Sequence, residues 1–190
     1  MARIGVISDT HGCASSWKKA MEIWKDVDFI IHCGDVLYHG PSNKIPENYD
    51  TLELPHLINS SKVPVLIAQG NCDSRADQDV LHWPIISPYV FAWWKKRIVL
   101  ATHGVNFTRT REDVVKFKPD IVFTGHTHVA SINNEKGTIY LNPGSASLPK
   151  GRDPASVALV EQDSLSIITL DGAVLHQQKW DFEGSVHGAK

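Results

Sequence analysis

The sequence predicts an α/β (α+β) fold in which helices flank mixed β-sheets. Two observations carry this reading. In the first part of the chain, short apolar runs of strand type alternate with segments of helical period, whereas beyond residue 128 such runs follow one another across tight turns, as in consecutive hairpins. At 190 residues, 42% apolar and 21% charged, the chain is long enough to bury a substantial core and short enough to be one domain, taken here as 1–183 with a loose tail at 184–190.

Arg3 to Ser8 reads as a buried first strand, followed by the loop Asp9-Thr10-His11-Gly12. From Ala14 to Lys25, the residues Trp17, Ala20, Met21 and Trp24 recur at three- and four-residue steps, giving an amphipathic helix with Ser15 or Ser16 as its N-cap. Asp28 to Cys33 is a second buried strand, ended by Gly34-Asp35. The stretch Val36 to Tyr49 is rich in Gly, Pro, Asn and His without helical period and reads as a long ordered loop over the site.

Thr51 to Ser60 reads as a helix despite Pro55, and Val63 to Ala68 as a third strand ending in Gln69-Gly70-Asn71-Cys72-Asp73. After an irregular stretch, Tyr89 to Trp94 and Arg97 to Thr102 form a hairpin turning at Lys95-Lys96, with His103-Gly104 after its second arm. Asp113 to Lys118 is a short helix. The run Asp120-Ile121-Val122-Phe123-Thr124 is a buried strand closed by Gly125-His126-Thr127-His128. Val129 to Asn133 and Thr138 to Leu141 flank a turn at Glu135-Lys136-Gly137, and Asn142-Pro143-Gly144-Ser145 makes a tight loop. Ser156 to Glu161, Leu165 to Leu170 and Ala173 to Trp180 complete the strands.

Bulk properties narrow the function. A formal net charge of −2 gives no global electrostatic reason to coat nucleic acid or an anionic membrane. Cys13, Cys33 and Cys72 are odd in number and lack CxxC spacing, which argues against a disulfide framework and a thiolate zinc site and for a reducing cytoplasm. Ile4-Gly5-Val6-Ile7 is too short for a signal peptide's apolar region, and no stretch is long enough to span a bilayer.

Five strand ends carry polar cargo: Asp9 with His11, Asp35, Asn71, His103, and His126 with His128. Singly, each pair has an ordinary explanation, since Gly-Asp and Gly-Asn are turn formers and His-x-His is often a surface or core pair. In open α/β sheets, however, ligands bind beyond the carboxyl ends of the strands. Seven polar groups gathered there are costly to bury unless something pairs them. Oxygen and imidazole donors without thiolates suit a divalent cation such as Mn, Fe, Zn or Mg, and seven are suitable for two ions sharing a carboxylate.

The ordered set Asp-x-His, Gly-Asp, Gly-Asn-x-Asp, His-Gly and Gly-His-x-His resembles the calcineurin-like metallophosphoesterase superfamily. Gly34-Asp35-Val36-Leu37 with His39-Gly40-Pro41, Gly70-Asn71-Cys72-Asp73-Ser74, Asp77-Gln78, Leu81-His82, Asn142-Pro143-Gly144-Ser145 and Pro149-Lys150-Gly151 further resemble its YfcE-like bacterial phosphodiesterase branch. The resemblance implies a four-layer sandwich of two β-sheets flanked by helices, with a di-metal centre at one rim that hydrolyses phosphodiesters. By position, it implies Asp9, His11, Asp35 and His128 on one metal and Asp35, Asn71, His103 and His126 on the other, so that Asp35 bridges. Mn²⁺ is the expected metal, with Zn, Fe, Ni or Mg as the other candidates. Paired cations lower the pKa of a bridging water from 15.7 towards about 7, which supplies hydroxide for in-line attack and requires no protein nucleophile.

Two departures from the wider family bear on substrate. Cys72 stands where many relatives have a leaving-group His, and a thiol is a poorer positioned acid, so diesters with good leaving groups are favoured over alkyl monoesters. Val105 stands where many have another His. With Asp35, Asn71 and Cys72, Asp73 completes the catalytic set, and it is expected to orient its neighbours. Tyr38, His39 and Arg75 are candidate contacts for a small phosphodiester substrate. Cys13 and Cys33 read as core groups, and His32, His56, His176 and His187 as structural or exposed. Trp93-Trp94 reads as a hairpin edge or subunit contact in a homo-oligomer, dimer or tetramer. The alternatives are a binding scaffold on the same fold and a nuclease or cyclic-nucleotide esterase on the same centre.

Overall fold

The structure is a computed structural model, and it describes residues 2–180. The expected domain boundary at 183, the tail from 184 and His187 therefore lie outside the described residues.

Strands β1 (Arg3–Ile7), β2 (Phe29–His32), β3 (Val65–Ala68) and β4 (Ile85–Ile86) run parallel in one sheet. The antiparallel strands β10 (Ser156–Glu161), β11 (Ser164–Thr169) and β12 (Val174–Lys179) extend it on the other side of β1, in the order β12-β11-β10-β1-β2-β3-β4. A second sheet has the order β5-β6-β7-β9-β8, built from β5 (Val90–Trp94), β6 (Arg97–Ala101), β7 (Ile121–Phe123), β8 (Ala130–Glu135) and β9 (Thr138–Pro143). In it β6, β7 and β9 are parallel, and β5 and β8 are antiparallel edges.

The core lies in three seams, as the alternation of side chains along each strand requires. Ile4, Val6 and Ile31 of the first sheet meet Val99, Ile121, Phe123 and Leu141 of the second. The outer face of the first sheet, with Ile7, Ile30, Val65 and Ile67, is covered by Trp17, Ala20 and Trp24 around α1 (Ala14–Ile23) and by Leu54 and Ile58 of α2 (Glu53–Asn59). Leu100, Val122 and Tyr140 on the outer face of the second sheet pack on Val114 of α4 (Phe107–Phe117). The layers are thus helix, sheet, sheet, helix, as the resemblance implied.

Several element ends differ from the sequence reading. Helix α1 starts after Cys13 with no side-chain cap, and Ser16, inside the helix, donates to the Ala146 carbonyl instead. Helix α2 begins where Asp50 Oδ1 accepts the N–H groups of Leu52 and Glu53, with Pro55 tolerated in the first turn. Strand β3 starts at Val65, just past Pro64, rather than at Val63. Helix α4 is nearly twice as long as expected, because Asn106 accepts the Arg109 N–H and caps a first turn whose Thr and Arg residues conceal the apolar period. Helix α3 (Arg75–Val80) and β4 occupy the stretch read as irregular.

Candidate metal centre

The parallel strands deliver their carboxyl ends to one rim, and each ligand candidate sits in the turn that follows. Asp9 and His11 follow β1, Asp35 follows β2, Asn71 follows β3, His103 follows β6, and His126 and His128 follow β7. The turns are tightly held. The N–H groups of Asp9, His11 and Gly12 donate to the carbonyls of Gly34, Asp35 and Val36, and that of Gly125 donates to the His103 carbonyl.

Asp9, His11, Asp35, His126 and His128 all have positive φ, between 43° and 65°. A left-handed non-glycine residue costs about 1–3 kcal/mol and persists only where surrounding contacts over-determine it. Two glycines permit the close approach. A Cβ on Gly125 would lie 1.9 Å from Ser8 Oγ and 2.8 Å from Asp9 Oδ2, and one on Gly70 would lie 2.2 Å from Asp35 Oδ1.

Backbone carbonyls aim three of the imidazoles. The Nδ1 atoms of His11, His103 and His128 lie 2.8, 2.7 and 2.5 Å from the carbonyl oxygens of Tyr38, Cys33 and Leu148. A carbonyl only accepts, so each Nδ1 donates and each Nε2 is turned inward. There, Asp9 Oδ1 lies 3.2 Å from His128 Nε2, 3.8 Å from His11 Nε2 and 3.9 Å from His103 Nε2. Asp35 Oδ2 lies 3.3 Å from His103 Nε2 and 3.9 Å from His11 Nε2, and Asn71 Oδ1 lies 3.1 Å from His103 Nε2. His126 joins by its ring, edge-on to that of His103 at 5.1 Å, and by its N–H to Asp9 Oδ2.

These residues fit a cation. Asp9 is fully buried, and its Oδ2 takes the Ser8 hydroxyl while its Oδ1 has no hydrogen-bond partner among the described residues. His11 Nε2 and His128 Nε2 face one another at 3.3 Å. Inward lone pairs beside an orphaned carboxylate oxygen are unfavourable unless positive charge lies among them. Asp9, His11 and His128 form one possible metal group, and Asp9, Asp35 and His103 another.

The titrations follow. Burial pushes the Asp9 pKa up, but the adjacent His128 and His103 imidazoles outweigh it and hold the group below its ordinary value. Asp35 is lowered for the same reason, with His103 as the main opponent of burial. Burial would lower His103, but Asp35 and Asp9 raise it to about 9. Burial lowers both His11 and His126. Burial and the Asp35 carboxylate push the Cys72 thiol up to about 12, so it stays protonated and is a poor thiolate donor to the His11-Asp35-Cys72 group.

Asp73 lies behind the cluster, where its carboxylate accepts the N–H groups of Asp35, Val36 and Gly70 at 2.7–2.9 Å. Tyr38 is 44% exposed at the rim. The His39 ring lies edge-on between Tyr38 and Tyr49. Arg75 is exposed at the start of α3, and Val105 is 57% exposed. Sequence reasoning missed Ser8, the three orienting carbonyls, and Ser145 and Ser147, which both donate to the Asp9 carbonyl. Backbone carbonyls leave no trace in a sequence. Ser8 and Ser147 flank motifs already singled out and Ser145 closes one of them, so all three could have been found there.

Residues 2–165 match the calcineurin-like phosphoesterase superfamily domain. The chain belongs to this superfamily. It is 33% identical over 173 residues to the phosphodiesterase YfcE of Escherichia coli K12, covering 90% of this chain and 94% of YfcE. The solved YfcE structure superposes with a TM-score of 0.81 at 31% identity, covering 93% of this chain and 98% of that one. A probable metallophosphoesterase of Bacillus subtilis, YsnB, is 26% identical over 88% of this chain and 90% of its own. Vacuolar protein sorting 29 of Cryptosporidium parvum shares the fold at 20% identity, with a TM-score of 0.64 over 94% of this chain and 97% of that one.

Proposed function

We propose that the protein is a metal-dependent phosphodiesterase whose centre takes two divalent cations, Mn²⁺ first among the candidates, and acts on small diesters with good leaving groups. The observation that carries the reading is the buried, donorless Oδ1 of Asp9 ringed by the Nε2 atoms of His128, His11 and His103. Asp9, His11, Asp35 and His128 would hold one cation, and Asp35, Asn71, His103 and His126 the other. A shared role for Asp35 is supported by Oδ2, which faces both His11 and His103. When bound, the cations supply charge that polarises the phosphoryl oxygens and lowers the pKa of a water at the centre.

The chain's own residues set the rest. The carbonyls of Tyr38, Cys33 and Leu148 take the Nδ1 protons of three imidazoles and keep their Nε2 atoms pointed inward. Neutral Asn71 adds no negative charge beside His103. Cys72, whose N–H donates to Asp35 Oδ1, keeps its own proton at Sγ, so a leaving oxygen receives little help there. Tyr38, His39 and Arg75 remain the proposed substrate contacts, with Tyr38 exposed beside the cluster. The three thiols, without a disulfide, support the cytoplasm as its compartment. Among the described residues, no helix is long and apolar enough to cross a membrane.

Hydrolysis of bis(p-nitrophenyl) phosphate tests the reading. Activity should vanish on complete chelation and return with added Mn²⁺. Turnover that survives verified metal removal overturns it.

A further inference from the structure

Next to the cluster lies a buried polar network that the proposed chemistry does not use. His32, the last residue of β2, is fully buried, as is Thr10 between Asp9 and His11. The Gly34 N–H points at His32 Nδ1 at 3.1 Å, and His32 Nε2 lies 2.9 Å from Thr10 Oγ1. Thr10 Oγ1 lies 2.8 Å from the Val36 carbonyl oxygen.

The direction of every bond in this chain is forced. A backbone N–H only donates, so His32 Nδ1 must accept, and the ring proton must sit on Nε2. That proton goes to Thr10 Oγ1, whose own proton must then go to the Val36 carbonyl, which only accepts. The network therefore runs Gly34 N–H, imidazole, hydroxyl, Val36 carbonyl. It ties the turn carrying Asp35 to the turn carrying Asp9 and His11, with both imidazole nitrogens and the hydroxyl engaged inside the network itself.

We infer that His32 and Thr10 are positioning residues, a buried clamp that fixes the left-handed turns of Asp9, His11 and Asp35 against one another so that their donor atoms converge on one small volume. Those turns have φ values of 52°, 43° and 57°, which the backbone holds only under surrounding constraint. The three backbone hydrogen bonds between the same turns fix their spacing, and the side-chain clamp adds the constraint on rotation that the strained φ values need. The inference rests on the metal-dependent reading above.

The test uses the full chain, Mn²⁺ alone as the first probe, and an aryl phosphodiester as the second. Thr10→Val keeps the shape of the side chain but removes both hydrogen-bonding roles, whereas Thr10→Ser keeps the hydroxyl. His32→Gln retains a donor near the Nε2 position, whereas His32→Leu retains nothing. Near-UV circular dichroism first establishes that each variant is folded at the assay temperature. For Thr10→Val we expect Mn²⁺ affinity by titration calorimetry to weaken about tenfold or more, the range found when groups behind metal ligands are lost. Its kcat should fall with little change in KM, and Thr10→Ser should restore both within about threefold. His32→Gln should lie between wild type and His32→Leu, which keeps the inference testable if His32→Leu does not fold.

A folded Thr10→Val that binds Mn²⁺ and turns over like wild type overturns the clamp while leaving the enzyme reading intact. So does a Thr10→Ser as impaired as Thr10→Val. Wild-type protein that binds no Mn²⁺ instead overturns the metal-dependent reading on which the clamp depends.

Discussion

Asp35 and His128 occupy different parts of the cluster, and substituting them separates binding from folding. Asp35→Asn keeps the size of the side chain and an oxygen for the Cys72 N–H, but removes the charge that faces His11 and His103. His128→Ala leaves Asp9 Oδ1 without its nearest imidazole and the Leu148 carbonyl without its donor. Mn²⁺ affinity should fall at least about a hundredfold in each, with turnover of an aryl diester lost in parallel. The thermal transition should stay within a few degrees of wild type, because the apolar seams are untouched. Calorimetric titration, steady-state rates and circular dichroism check all three, and wild-type rates in either variant remove that residue from the ligand set. At this scale the sequence was most informative about charged and imidazole groups next to glycines. Gly70 and Gly125 stand where any Cβ would strike Asp35 or Ser8, so the Gly-Asn and Gly-His pairs are consequences of crowding. The atoms that aim the imidazoles are peptide carbonyls, which any residue supplies.

At the scale of elements, legibility followed the apolar period. Strands β1, β2 and β7 are buried on both faces and read as apolar runs, and α1 with its C-cap Trp24 turns Trp17, Ala20 and Trp24 to one core cluster. Helix α3 has no buried residue and no apolar period to read. It is specified at its start, where Asp77 Oδ2 accepts the Ser74 N–H at 2.7 Å as half of a capping box, and the Gln78 side chain then ties it to Ile85 and Leu81. Because α3 follows Asn71-Cys72-Asp73 directly, its first turn sets where that loop stops. Asp77→Ala should lower stability by about 1 kcal/mol, the usual cost of losing a cap, and raise amide exchange in residues 71–80 above that in β1. Urea unfolding and hydrogen exchange measure these effects. Unchanged exchange across 71–80 would mean that Gln78 alone holds the helix.

At the scale of the whole molecule, the sandwich leaves two large aromatic side chains more than half exposed on the edge strand β5. Among the described residues strand β5 pairs only with β6, and its residues alternate: Val90 and Trp94 enter the seam between the sheets, while Phe91 and Trp93 are 57% and 64% exposed. Their cross-strand neighbours Leu100 and Ile98 place them on the outer face of the second sheet, beside α4. The tandem tryptophans thus point in opposite directions, and Trp94 stacks on Trp180 with the Arg97 guanidinium 3.4 Å from the Trp180 ring centroid. An open strand bearing large apolar groups is a template for another strand. The occupant expected from the sequence is a second copy of this chain, and antiparallel pairing of β5 with itself about Ala92 would set Trp93 of one protomer opposite Phe91 of its partner and the reverse, as a two-fold axis requires. The pairing would also join two five-stranded sheets into one, with each metal centre left at its own rim. Sedimentation equilibrium should therefore give a dimer, or a tetramer built from such dimers. Trp93→Lys should shift the mass to that of a smaller species at micromolar concentration while Mn²⁺ binding is retained. A wild-type monomer across the accessible range, or a Trp93→Lys variant with unchanged mass, would mean that this edge stays open to solvent and that its aromatic residues serve another purpose.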